Sequence, residues 1–76
     1  MTWYVVTAPG HPNVPAMRVA ASSPHMAAEH FTEQRHEAIG SHPIHEVQVR
    51  PEDGGPTDTF RVSMRMMMRA AARLAV

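Results

Sequence analysis

The chain contains no cysteine and no lysine. Without cysteine, disulfides and thiolate-bound zinc are excluded, two of the devices with which small domains supplement a thin core. All seven basic residues are arginine, a bias that GC-rich coding explains as readily as a need for forked donors. Long apolar runs are missing too. Nothing approaches the roughly 18–20 residues of a membrane span, and no basic-then-apolar leader pattern opens the sequence. The expectation is a cytosolic protein with no membrane partner. Glycine is scarce, at four residues, and neither a glycine-rich phosphate cradle nor a Gly-x-Ser-x-Gly elbow occurs. Net charge is absent as well. Seven arginines balance seven carboxylates, which speaks against a protein whose whole surface binds nucleic acid.

What is present is a short chain with its charges sorted. The 76 residues make one domain, 1–76, which buries only about 60% of its unfolded surface. Residues 1–58 carry three arginines and all seven acids, a net −4, while 59–76 carry four arginines and no acid, a net +4. Such asymmetry accompanies an interaction tail, an intersubunit contact or a basic end folded onto an acidic body.

Residues 2–8 are β-branched and aromatic, which suits a strand. Both of its sides are apolar, so it sits centrally or meets a partner. Three prolines and a glycine within 9–15 make a loop, and Met17, Val19 and Ala21 alternate with Arg18 and Ala20 in a second strand over 16–21. Ser23-Pro24 predicts a helix start, the hydroxyl accepting from free amides and proline tolerated at the first helical position. The helix runs over 24–38. Ala27, Ala28, Phe31 and Ala38 share one face with Arg35 between them, and Glu29, Glu33 and Glu37, spaced by four, form an acidic ridge suited to a basic partner. Gly40 fits the left-handed position that ends a helix. Residues 44–50 and 58–65 alternate as two further strands around a turn in which Asp53-Gly54 supplies positive φ.

The end of the chain is built from strong helix formers. A short helix is predicted over 66–76, with Arg65, Arg69 and Arg73 in one stripe and Met67, Met68, Ala71 and Leu74 in the opposite arc. That arc packs on the chain's own sheet or forms a seam with a second copy or a partner, for which methionine is well suited. The resulting fold class is α+β: a four-stranded antiparallel sheet (ββαββ), one helix on one face, and a short C-terminal helix. The opposite sheet face stays open, with Trp3 or Tyr4, Arg18, Glu46, Gln48, Arg50, Arg61, Ser63 and Arg65 as its candidate occupants.

Six histidines are the one enrichment of a reactive residue type. His25, His30 and His36 are five and six apart, which places them on no common helical stripe, and His42 and His45 form no paired site, so no metal site is expected. The serines have local structural uses, the carboxylates lie on wet surfaces, and a chain this short has little room for a pocket of about 300 Å³. The expectation is a protein that is not an enzyme and carries no cofactor. Its partner is a protein or ribonucleoprotein bound through Glu29, Glu33 and Glu37 or through Arg61, Arg65, Arg69 and Arg73. The alternative is nucleic acid bound by the open sheet face and the arginine stripe.

The run MRVAASSPHMAAEHFTEQR, a strand feeding Ser-Pro and then an Ala-Ala-x-x-Phe helix, is similar to that of many small phage and mobile-element proteins. With its flanking hairpins the order over about residues 2–65 resembles the ββαββ build of some anti-CRISPR inhibitors. HicB-type antitoxin domains open comparably, but the DNA-binding element of that family is not evident here. The anti-CRISPR resemblance implies stoichiometric binding to a nuclease or its guide-RNA complex, without chemistry, an acidic helix ridge imitating phosphate.

Overall fold

The computed structural model describes residues 1–11, 14–39, 44–65 and 69–75, with side chains over 1–11, 14–35, 46–63 and 71–75. The β-branched and aromatic start of the chain forms β1 (Thr2–Thr7), and β2 (Met17–Ala21) returns antiparallel to it with Thr2 opposite Ala21 and Val6 opposite Met17. β1 is an interior strand of the sheet, although only its Tyr4 and Val6 side faces the core. Its other edge pairs with β3 (Ile44–Pro51), Tyr4 opposite Pro51 and Thr7 opposite Gln48. β4 (Asp58–Arg65) pairs antiparallel with β3, Ile44 opposite Ser63 and Val49 opposite Asp58. In the turn between them Gly54 has φ +102° and its amide donates to the Pro51 carbonyl at 3.2 Å. That is the left-handed backbone an L side chain resists.

Between β2 and β3 the chain forms α1 (Pro24–Ile39). The cap is built as its residues predict: Ser23 Oγ accepts from the Met26 amide at 3.2 Å, and Pro24 is the first helical residue. Ala27, Ala28, Phe31 and Thr32 are fully buried. The Thr32 hydroxyl donates to the Ala28 carbonyl at 2.9 Å, so its burial leaves no unmade hydrogen bond. This stripe packs on one sheet face, whose buried residues include Val6, Val19, Val47, Val49, Phe60 and Val62. The alanines let α1 lie close to the sheet, and Phe31 supplies the volume. At the margin the His25 ring meets Phe60 edge-on, centroids 5.3 Å apart.

The end of the chain is a correction to the sequence reading. Of the expected helix over 66–76, residues 66–68 and 76 lie outside the described residues, and Arg69–Leu74 form a fifth strand, β5, antiparallel to β4 with Phe60 opposite Leu74 and Arg65 opposite Arg69. The sheet is therefore five-stranded, in the order β2-β1-β3-β4-β5. Helix propensity differs among ordinary residues by only about 0–0.7 kcal/mol each, and a helix of eleven residues is marginal in water. Pairing with β4 instead gives the segment a hydrogen-bonded ladder and a place under α1, where Ala72 is 4% exposed. The arginine spacing of four could not discriminate, since four residues return to nearly the same face of a helix and to the same face of a strand.

As a sheet edge, β5 also exposes backbone amides. The Ala75 amide donates to the Thr59 carbonyl at 2.9 Å; by antiparallel alternation the Ala72 amide points away from β4. Glu29 of α1 accepts it at 2.9 Å. A carboxylate on the helix thus satisfies one amide of the edge that would otherwise offer itself to another chain.

Candidate binding face

Alternation along the strands sends every second side chain to the face that α1 does not cover. The register arranges these in rows. Arg18, Val5 and Arg50 make one row across β2, β1 and β3; Thr7, Gln48 and Thr59 make the next; Glu46, Arg61 and Arg73 make the third across β3, β4 and β5. All four of these arginines are exposed. The period-2 ambiguity of β1 resolves in favour of tryptophan: Trp3 is 47% exposed on this face, whereas Tyr4 is buried against the core.

Trp3 and Arg18 form a built corner. The Arg18 guanidinium lies over the indole, 4.4 Å from the ring centroid. Glu52, in the turn just after β3, holds it there by a forked pair of hydrogen bonds, Nη2 donating to Oε1 at 3.0 Å and Nε to Oε2. The Arg18 hydrogen bond holds the Glu52 carboxyl below the usual glutamate range, helped by the charges of Arg18 and Arg50, and the same pair holds Arg18 above its ordinary value. Both groups are exposed, so the pair positions the guanidinium on the ring more than it stabilises the fold.

The third row has the opposite character. Arg61 and Arg73 stand directly opposite each other, and the register also pairs Arg65 with Arg69. Like charges directly opposite in a sheet are destabilising, where a good cross-strand pair contributes about 0.2–1 kcal/mol. Glu46 lies across from Arg61 on its other side. Between the corner and this row, Val5, Thr7, Gln48, Arg50 and Thr57 line an open depression of about 210 Å³; a second, of about 400 Å³, is lined by Met1, Thr2, Trp3, Glu52 and Asp53.

The residues singled out in the sequence separate. Arg61 and Arg73 come together on the open face; the side chains of Arg65 and Arg69 lie outside the described ones. Glu29 accepts from the Ala72 amide within the fold, and the Glu37 side chain lies outside the described residues. The expected apolar arc does not form on β5. Ala71 is opposite Ser63 on the arginine face, Leu74 is opposite Phe60 on the other and is 54% exposed, and Met67 and Met68 lie outside the described residues. The Arg18–Glu52 fork was not foreseen; 34 residues separate its partners, and it takes the pairing of β1 with both β2 and β3 to bring them together. Among the described residues no three of His, Asp and Glu gather as a metal site, and no helix is long and apolar enough to cross a membrane. Neither depression brings a nucleophile to a histidine base. Comparison with protein-family models, curated proteins and solved structures finds no match to this chain.

Proposed function

We propose that this protein is a non-enzymatic binding module that engages an anionic partner through the open face of its sheet. The observation that carries the reading is the placement of Arg61 directly opposite Arg73, with Arg65 opposite Arg69 in the same ribbon. A fold gains nothing from aligned like charges, and an anionic ligand converts the repulsion into binding energy. The excess is local: on the described part of this face four arginines meet Glu46, Glu52 and Asp53, of which Glu52 is engaged by Arg18. Stoichiometric capture of a protein or ribonucleoprotein, in the manner of the small phage inhibitors the element order resembles, takes this form here. The arginine face rather than the helix ridge makes the contact, in a cytosolic setting that suits a chain without cysteine.

Retention on immobilised heparin, a defined polyanion, tests the reading. The wild-type chain is expected to be held at low salt and released as salt rises, and R61Q/R73Q to elute earlier. Flow-through of the wild type at low salt, or equal elution of the variant, overturns it.

A further inference from the structure

Resting on the open-face reading, we propose that the occupant is single-stranded RNA, lying diagonally across the sheet from the Trp3–Arg18 corner to Arg73. Charge alone selects an anion; the corner selects its kind. An acidic peptide would meet the arginines but would have no use for a half-exposed indole backed by a fixed guanidinium, and unpaired bases stack on both of these groups. Glu52 holds Arg18 in the stacked position before any ligand arrives, so less side-chain freedom is lost on binding.

The middle of the face supplies what a base or sugar needs. The depression of about 210 Å³ between the two charged regions is smaller than the roughly 300 Å³ at which drug-sized pockets begin and has the uncharged polar groups of Thr7, Gln48 and Thr57 beside Arg50. Hydroxyl and amide groups there can donate to and accept from a 2′-hydroxyl, the group that distinguishes RNA from DNA. The distances also fit. With strands about 4.8 Å apart and about 3.3 Å per residue, the backbone positions of Arg50 and Arg61 are about 14 Å apart and those of Arg18 and Arg73 about 23 Å. That accommodates a few nucleotides, about four being the smallest site among single-strand-binding sheets.

Trp3 is the only tryptophan, so its emission reports on the corner without labelling. Titration with a short oligouridylate at several salt concentrations is expected to quench it. Three phosphates met by Arg50, Arg61 and Arg73 give a slope of log affinity against log salt of about −2, at about −0.7 per phosphate. R61Q/R73Q is expected to flatten that slope to about −0.7. W3A, followed by anisotropy of a labelled oligouridylate and checked for folding by circular dichroism, is expected to bind about five- to a hundredfold more weakly, with W3F nearer to wild type and R50Q also weakened.

Absence of oligouridylate binding at low salt overturns the proposal, as does binding that leaves Trp3 emission and W3A affinity unchanged. Tighter binding of polyglutamate or of an RNA duplex overturns it in favour of those partners, and equal binding of oligothymidylate overturns the choice of RNA. Heparin retention that depends on Arg61 and Arg73 survives each of these results and keeps the open-face reading separate; its loss removes both.

Discussion

The two faces of the sheet are made by the same five strands and obey different rules. Under α1, Val6, Val47, Val49 and Val62 are fully buried. Among the described residues Thr32 is the one fully buried polar residue and its hydroxyl donates to the Ala28 carbonyl, while the Nε of partly buried Arg35 is the one buried side-chain polar atom without a partner. On the other side Arg18, Arg50, Arg61 and Arg73 stand exposed, two of them opposed across β4 and β5. The covered face is arranged to stabilise the fold. The open face carries a register that a stability argument alone would reject. Local features that work against stability gather at functional surfaces, and this difference is the reason for placing function on the arginine side.

Substitution on the covered face should have the largest effect. Phe31 is fully buried, so Phe31→Ala removes its buried ring and leaves a cavity, a loss of about 3–5 kcal/mol. A domain of this length has only about 4–11 kcal/mol in total, and the variant should lose most of its urea midpoint. A midpoint within 1 M of wild type would mean that α1 does not pack as described.

Much of this arrangement is readable in the sequence because most segments carry two signals that agree. Ser23-Pro24 marks the helix start while Ala27, Ala28 and Phe31 mark its buried face; Val47 and Val49 alternate with Gln48 and Arg50 while Asp53-Gly54 marks the turn. Residues 69–74 carry signals that conflict. Their composition favours a helix, their alternation permits a strand, and arginines four apart satisfy both. The decision belongs to tertiary context, namely the open edge of β4 and the Glu29 carboxylate 43 positions away. The candidate site divides likewise. Arginines on an open face follow from alternation, but Arg61 opposite Arg73 and Arg18 clamped on Trp3 by Glu52 depend on register between strands, which a one-dimensional pattern does not specify.

Glu29 links the two faces, because it fixes the strand that carries Arg73. Glu29→Ala leaves the outward Ala72 amide without its acceptor, a loss of about 1–3 kcal/mol, or roughly 4–20 °C in Tm for a domain of this size. Amide hydrogen exchange at Ala72 should accelerate more than exchange at Val6 or Val49 in the centre of the sheet. Uniform acceleration at all three would show that the carboxylate supports the whole fold and has no special hold on β5.

The smallest stability effect is the one with the most unusual sign. Arg73→Gln removes a charge opposite Arg61 and leaves Glu46 as the charged residue opposite Arg61 in the register. Stability at low ionic strength should therefore rise, by about 0.2–1 kcal/mol. The gain should shrink between 0.15 M and 1 M salt, as the screening length falls from about 8 Å to about 3 Å. On a face selected for stability the same change would be neutral or harmful. Here it should raise the melting temperature while lowering retention on heparin, the opposed movement expected where a fold tolerates repulsion in order to bind an anion. A variant less stable than wild type at low salt, or a gain that salt leaves unchanged, would show that the Arg61–Arg73 register is not under electrostatic strain and would remove the observation on which the binding face rests.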